Sequence, residues 1–111
     1  MATTSNFAFL DELLDLIEQR KGADPETSYT ASLFAKGSEK IAQKLGEEAV
    51  ELAIAAAKRE PAQTVAESAD LLYHLLVLWA DAGIAPAEVA GELESRRARS
   101  GLAEKAARRE G

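Results

Sequence analysis

Residues 61–82 read PAQTVAESADLLYHLLVLWADA, and the architecture follows from them. Pro61 suits a first helical turn, where its missing N–H leaves no bond unmade. Beyond it, Leu71, Leu72, Tyr73, Leu75, Leu76, Val77, Leu78 and Trp79 would surround a helix on nearly every side. That pattern marks a buried helix. Gly83 ends the segment at about Ala82. Only Glu67, Asp70 and His74 share a polar stripe, so the stripe should face another helix rather than water.

Working back from Pro61, a long helix is predicted from about Ser38 to Arg59. At about 100° per residue, Ile41, Leu45, Ala49, Leu52 and Ala56 form one apolar face, and Val50 with Ile54 forms a second on the far side. Glu47, Glu48 and Glu51 fall in the gap between these faces. Residues three and four apart share a helix face, so Glu47-Glu48-x-x-Glu51 and Glu67-x-x-Asp70 each become an acidic stripe. The two stripes are expected to meet in one seam.

Like charges gathered beside apolar faces are expensive to bury unless something positive neutralises them. A divalent metal meets that need. The chain has no Cys and one His, His74, so a zinc finger, thiolate site or multi-His cage cannot be built from it. Oxygen ligands suit hard cations: Mg²⁺ first, with Mn²⁺ as the alternative. Mg²⁺ is usually shared between carboxylates and substrate phosphates, which points to phosphate chemistry.

The outer elements complete an all-α domain. Phe9, Leu10, Leu13, Leu14 and Ile17 have helical spacing over about Phe7 to Lys21, with Gly22 ending the helix. A loop follows through Gly22-Ala23-Asp24-Pro25. Ser28-Tyr29-Thr30 offers hydroxyls able to cap the next turn, and Gly37 bends the chain. Pro86 opens a last main helix to about Arg97, whose light stripe of Val89, Ala90 and Leu93 suggests a peripheral position. Ser100-Gly101 precedes a short helix, Leu102 to Arg109. The expected architecture is one domain over residues 1–111. It is a bundle of four main helices plus a short C-terminal helix, with its core over about residues 7–97 and a basic tail over 98–111. Its apolar faces exceed what one small chain can cover, so a homodimer is predicted.

Charge and hydropathy exclude several classes. Of 111 residues carrying a formal net charge of −6, residues 1–95 hold 17 acids and 7 bases, whereas residues 96–111 hold 2 acids and 6 bases. One short basic tail on an acidic body is a weak footprint for nucleic acid, and no nucleic-acid partner is expected. The tail reads as solvated, or as folding over an anionic substrate or the acidic body. The longest apolar run, Leu71 to Ala80, falls far short of the roughly 20 residues of a spanning helix. The N-terminus lacks a basic region followed by an apolar core. A cytoplasmic protein with no membrane partner is expected. There is no Gly-x-x-x-x-Gly-Lys-Ser/Thr cradle, Gly-x-Gly-x-x-Gly loop, Gly-x-Ser-x-Gly elbow or Cys nucleophile. Catalysis would therefore use metal-activated water.

Each chemical reading has a plainer rival. Glu pairs at helical spacing are common on solvated helices, and Lys40 and Lys44 could be ordinary ion partners of Glu47 and Glu48 rather than phosphate contacts. The order Lys before Glu is the poorer one for such pairs. His74 reads more readily as a satisfied core histidine than as a ligand.

The motifs also carry a resemblance. Glu47-Glu48-x-x-Glu51 followed by Glu67-x-x-Asp70 resembles the signature of the all-α nucleoside triphosphate pyrophosphatases. Ser28-Tyr29-Thr30-x-x-Leu33, Gly37, Lys44-x-Gly46-Glu47-Glu48-Ala49-x-Glu51 and Glu67-x-Ala69-Asp70-Leu71-Leu72-Tyr73-His74 narrow it to a resemblance to the phosphoribosyl-ATP pyrophosphatases. It spans roughly Leu10 to Arg108. The resemblance implies Mg²⁺-dependent hydrolysis of phosphoribosyl-ATP to phosphoribosyl-AMP and pyrophosphate, the second step of histidine biosynthesis. It implies a metal held by Glu47 or Glu48 with Glu51, Glu67 and Asp70, and Glu47 and Glu48 as the catalytic pair. Lys40 and Lys44 would meet the phosphates, and Arg20, Ser28, Tyr29, Thr30 and Lys36 would shape the rest of the pocket. Some relatives are fused to a cyclohydrolase domain with metal-binding Cys and His; this Cys-free chain reads as a stand-alone pyrophosphatase. Two alternatives stay open: a housecleaning nucleotide pyrophosphatase sharing the metal site, and a helical dimerisation module without catalysis.

Overall fold

Only Lys58, Arg59 and Glu60 separate α3 (Ser38–Ala57) from α4 (Pro61–Ala82), so the two fold back on one another as an antiparallel hairpin. This hairpin forms the frame of the computed structural model, which describes residues 7–97 and Arg108. The remaining helices are α1 (Phe7–Gln19), α2 (Tyr29–Lys36) and α5 (Pro86–Arg97). The short C-terminal helix expected over Leu102 to Arg109 falls outside the described residues apart from Arg108, which is helical and exposed.

Several helix ends are closed by local chemistry. At the hairpin tip Arg59 takes a left-handed conformation (φ 58°), the Arg59 N–H donates to Ala56 O at 3.0 Å and the Glu60 N–H to Ala55 O at 3.2 Å. These bonds satisfy carbonyls that the end of α3 would otherwise leave bare. Gly83 does the same for α4 with φ 75°, and Ile84 N–H reaches back to Trp79 O at 2.9 Å. At α5 the Glu88 carboxylate accepts from Ala85 N–H at 2.9 Å, the return half of a capping box.

The predicted bounds of α4 and α5 match, and α1 ends at Gln19, two residues before the expected Lys21. The stretch from Ser28 differs more. The expected capped turn is a full eight-residue helix, α2, with Ser28 Oγ accepting from Ala31 N–H at 3.1 Å. Gly37, at φ 97°, then turns the chain straight into α3. Leu33 and Ala31 are what the hydroxyl-rich sequence concealed: both are buried, and they seat α2 against the core.

The core sits at one end of the hairpin. Leu14 and Ile17 of α1, Leu33 of α2, Ile41 of α3, and Leu76, Val77 and Ala80 of α4 form it. Lys21 pins the chain after α1 to this end, donating from Nζ to Ala80 O at 2.7 Å. Among the described residues the other half of the hairpin has no such cover, and Val50, Ile54 and Val65 stand exposed. The α4 helix is therefore less enclosed in one chain than its composition suggests, with Leu72 exposed as well.

The inward row of α3 corrects the predicted stripe. Ala49 and Ala56 are exposed, whereas Glu48 and Ala55 are buried alongside Ile41. Reading the apolar pattern alone excluded glutamate from the inward row. The helix is rotated so that one carboxylate points into the seam.

Candidate active site

Glu48 and Asp70 lie equally far from Arg59 along their helices, and so do Glu51 and Glu67, so the hairpin register sets the two acidic stripes face to face. Carboxylate oxygens of Glu48, Glu67 and Asp70 lie within 4.8 Å of one another. Glu48 is only 8% exposed and Glu67 half-buried. Glu67 is held by Gln63, whose Nε2 donates to Glu67 Oε2 at 2.6 Å, while Glu67 Oε1 is buried with no hydrogen-bond partner among the described residues. An orphaned carboxylate oxygen is expensive to bury. Beside Glu48 and Asp70 it fits a hard cation, or, with no cation there, a proton shared with a neighbouring acid.

Glu51 adjoins the trio. Its carboxyl is held above the ordinary glutamate value of 4.5 by Glu48 first, then by loss of solvent and by Glu67, with which it can share a proton. Glu47 does not join them. It turns toward the outer side of α3, accepting from Gln43 Nε2 at 2.9 Å and pairing with Lys44 at 3.3 Å. Gln43 and then Lys44 hold its carboxyl below the ordinary range, with Lys40 a weaker contributor. Lys44 in turn is raised chiefly by its bond to Glu47 and next by the Tyr29 phenol.

His74 joins the acids to the rest of the site. Its Nδ1 lies 2.9 Å from Asp70 O, a carbonyl that can only accept, so Nδ1 carries the proton. Nε2 is then the acceptor of the Tyr29 hydroxyl at 3.1 Å. The ring is buried and flanked edge-on by Tyr29 and Tyr73 at centroid distances of 5.9 and 5.5 Å. It is the satisfied core histidine that its apolar surroundings suggest. Through it the first turn of α2 is tied to the backbone of Asp70.

A cavity of about 250 Å³ opens on the other side of Tyr29. Arg20, Ser28, Tyr29 and Thr30 line it together, as a group drawn from the end of α1 and the start of α2. Lys36 does not reach this cavity; it is exposed at the far end of α2. Sequence reading missed Tyr73, which lines the same cavity and whose hydroxyl is pushed up by burial, then by Tyr29, against a small opposing pull from Arg20. It also missed Gln43 and Gln63. The signal was present, since each stands four residues before a Glu of the motif and can bond it along the helix.

Comparison with known proteins fits this arrangement. The family described as phosphoribosyl-ATP pyrophosphohydrolase matches residues 10–97. A phosphoribosyl-ATP pyrophosphatase of Azospirillum brasilense is 60% identical over 102 residues, covering 92% of each chain. The protein of the same name from Rhizorhabdus wittichii is 58% identical over 102 residues, covering 92% of this chain and 96% of its own. That from Rhodospirillum rubrum is 57% identical over 100 residues, covering 90% and 86% respectively.

Proposed function

The chain belongs to the phosphoribosyl-ATP pyrophosphohydrolase family, and on that premise we propose that it hydrolyses phosphoribosyl-ATP to phosphoribosyl-AMP and pyrophosphate. The observation that carries this reading to the level of atoms is the seam: three carboxylates within 4.8 Å, with Glu67 Oε1 buried and unpaired. Glu48, Glu67 and Asp70 would hold Mg²⁺, or Mn²⁺ in its place, with Glu51 beside them. Such an ion, when bound, lowers the pKa of water and offsets charge on phosphate oxygens. Glu47 or Glu48 would orient the attacking water. Glu48 is already in the seam, and Glu47 would first have to leave Lys44 and Gln43.

The chain's other groups would bind and orient. Lys44, beside Glu47 and Tyr29, would meet phosphate oxygens as the substrate enters, with Lys40 one turn away and Lys36 at the outer margin. Arg20, Ser28, Tyr29 and Thr30 would receive the remainder of the molecule. Positioning and electrostatics supply most of the rate in such phosphoryl transfers. His74 holds Tyr29 and the Asp70 turn in fixed relation, so it is a positioning residue.

No helix among the described residues is long and apolar enough to cross a membrane, and the proposed setting is the cytoplasm. The exposed row Val50, Ile54 and Val65 supports a homodimer closed over the uncovered half of the hairpin. The activity is tested by incubating purified protein with phosphoribosyl-ATP and Mg²⁺ and measuring pyrophosphate, with free nucleoside triphosphates assayed in parallel. Preferential release from phosphoribosyl-ATP is expected. Faster turnover of ordinary or damaged nucleotides would replace this reading with the housecleaning one, and no pyrophosphate from any substrate would overturn both.

A further inference from the structure

The cavity between α1 and α2 has the chemistry of an anion site, and of a kind unlike the metal seam. None of its lining residues is acidic, whereas Arg20 lines it with no carboxylate in salt-bridge distance among the described residues. Thr30 lines it too and is only 8% exposed. Neighbouring hydroxyls find partners: Ser28 takes Ala31 N–H, Ser32 donates to Tyr29 O, and Thr27 donates to Asp24 O. The Thr30 hydroxyl has no hydrogen-bond partner among the described residues. Its oxygen is not among the buried unbonded atoms, so it stays open to whatever occupies the cavity.

The backbone adds a third contribution. Tyr29 and Thr30 are the first two residues of α2, so their N–H groups have no acceptor within the helix, and the positive end of the helix dipole lies at the same place. Free amides, a guanidinium with no ion partner among the described residues and an unbonded hydroxyl together form a cradle for a phosphate. The volume, about 250 Å³, is below the roughly 300–1,000 Å³ that encloses a whole drug-sized ligand. It suits one end of an extended molecule.

We propose that this cavity is a phosphate-monoester subsite, held by Arg20, Thr30 and the first amides of α2, which receives the ribose 5-phosphate end of the substrate. Assigning that monoester to the substrate rests on the activity proposed above. A triphosphate needs the cation of the seam, but a monoester in this cavity needs none, since Arg20 and the helix end oppose its charge. Tyr29 lines the cavity and bonds His74, which bonds the Asp70 backbone. Two hydrogen bonds thus link the cavity to the backbone of the seam, and a molecule with a phosphate at each end would bridge the two sites. Ordinary nucleoside triphosphates lack the second phosphate. The cavity would be where the enzyme distinguishes them.

The test is a titration of the isotope-labelled full chain with ribose 5-phosphate in the presence of EDTA, followed by amide NMR. Saturable shifts are expected at Arg20, Tyr29 and Thr30, with ribose alone causing none. Arg20→Gln should weaken the binding by about tenfold or more, the usual loss for a charge-assisted bond, and Thr30→Val by about threefold. Arg20 is exposed, so its variant should keep the wild-type amide spectrum elsewhere. No saturable shift, shifts centred on Glu48, Glu67 and Asp70, or unchanged affinity in Arg20→Gln would each overturn the assignment. Inorganic phosphate bound as tightly as ribose 5-phosphate would overturn the sugar-phosphate assignment. The two readings fail separately: binding here without turnover of phosphoribosyl-ATP sinks the activity, and turnover without binding here sinks the subsite.

Discussion

Glu51 lies across the seam from Glu67, and its raised pKa gives it a measurable signature. A carboxyl with a folded-state pKa above its unfolded value binds more protons when folded, so stability falls as pH rises through that interval and nothing is lost below it. Without metal, Glu51→Gln should therefore melt above the wild type at pH 7 and converge with it below about pH 4. Thermal melts across pH in EDTA check this, and a gap that ignores pH would mean that packing, not charge, sets it. With Mg²⁺ present, Glu51→Gln and Asp70→Asn should each lose about 10²-fold or more in turnover while keeping their helicity. Lys44→Ala should lower kcat/KM with little change in melting, because an ion pair at an exposed position adds little to stability. A lower melting temperature with unchanged kinetics would return Lys44 to the ordinary ion pair. At this scale the acids were legible because spacing alone places them on helix faces. Which of Glu47 and Glu48 turns inward was not, since adjacent residues differ by about 100° of helix rotation and only the partner helix fixes the zero.

Elements with a single dominant signal could be read from the chain. Proline at the start and glycine after the end gave α4 its bounds, and the same logic opened α5 at Pro86. The α2 helix was hidden because it is only eight residues long, and two of its three buried residues are small or polar, Ala31 and Thr30. Its existence depends on Leu33 finding the core. The mismatch in the α3 stripe has a related cause, in that a buried glutamate looks like a surface residue until its partners are known. Two substitutions probe these elements. Leu76→Ala empties a position only 1% exposed and should cost about 2–5 kcal/mol in denaturant titrations. Arg59→Gly should do the reverse. A left-handed non-glycine residue costs roughly 1–2 kcal/mol, partly offset by the entropy glycine loses on folding. A net gain of about 0.5 kcal/mol, or roughly 2–4 °C in Tm, is expected, and a loss would mean that the arginine side chain makes up for its backbone.

Across the whole molecule the core is lopsided, and composition foreshadowed this only as an excess of apolar surface. The proposed homodimer should show about twice the 11.9 kDa chain mass in light scattering at micromolar concentration. Ile54→Glu should shift it toward monomer, and a monomeric wild type would refute the assembly. The same asymmetry has a consequence in time. A hairpin packed at one end and studded with facing acids at its middle behaves like a zip fastened at its base. In the monomeric variant, amide hydrogens near Leu76 and Val77 should exchange slowest and those beside Arg59 fastest, with a gradient between them. A cation across Glu48, Glu67 and Asp70 would act as a clasp part-way up, slowing exchange toward the tip and leaving the base as it was. The affinity for the ion would then include the work of holding the upper hairpin shut, so an enzyme short of metal would be partly unzipped before it was inactive.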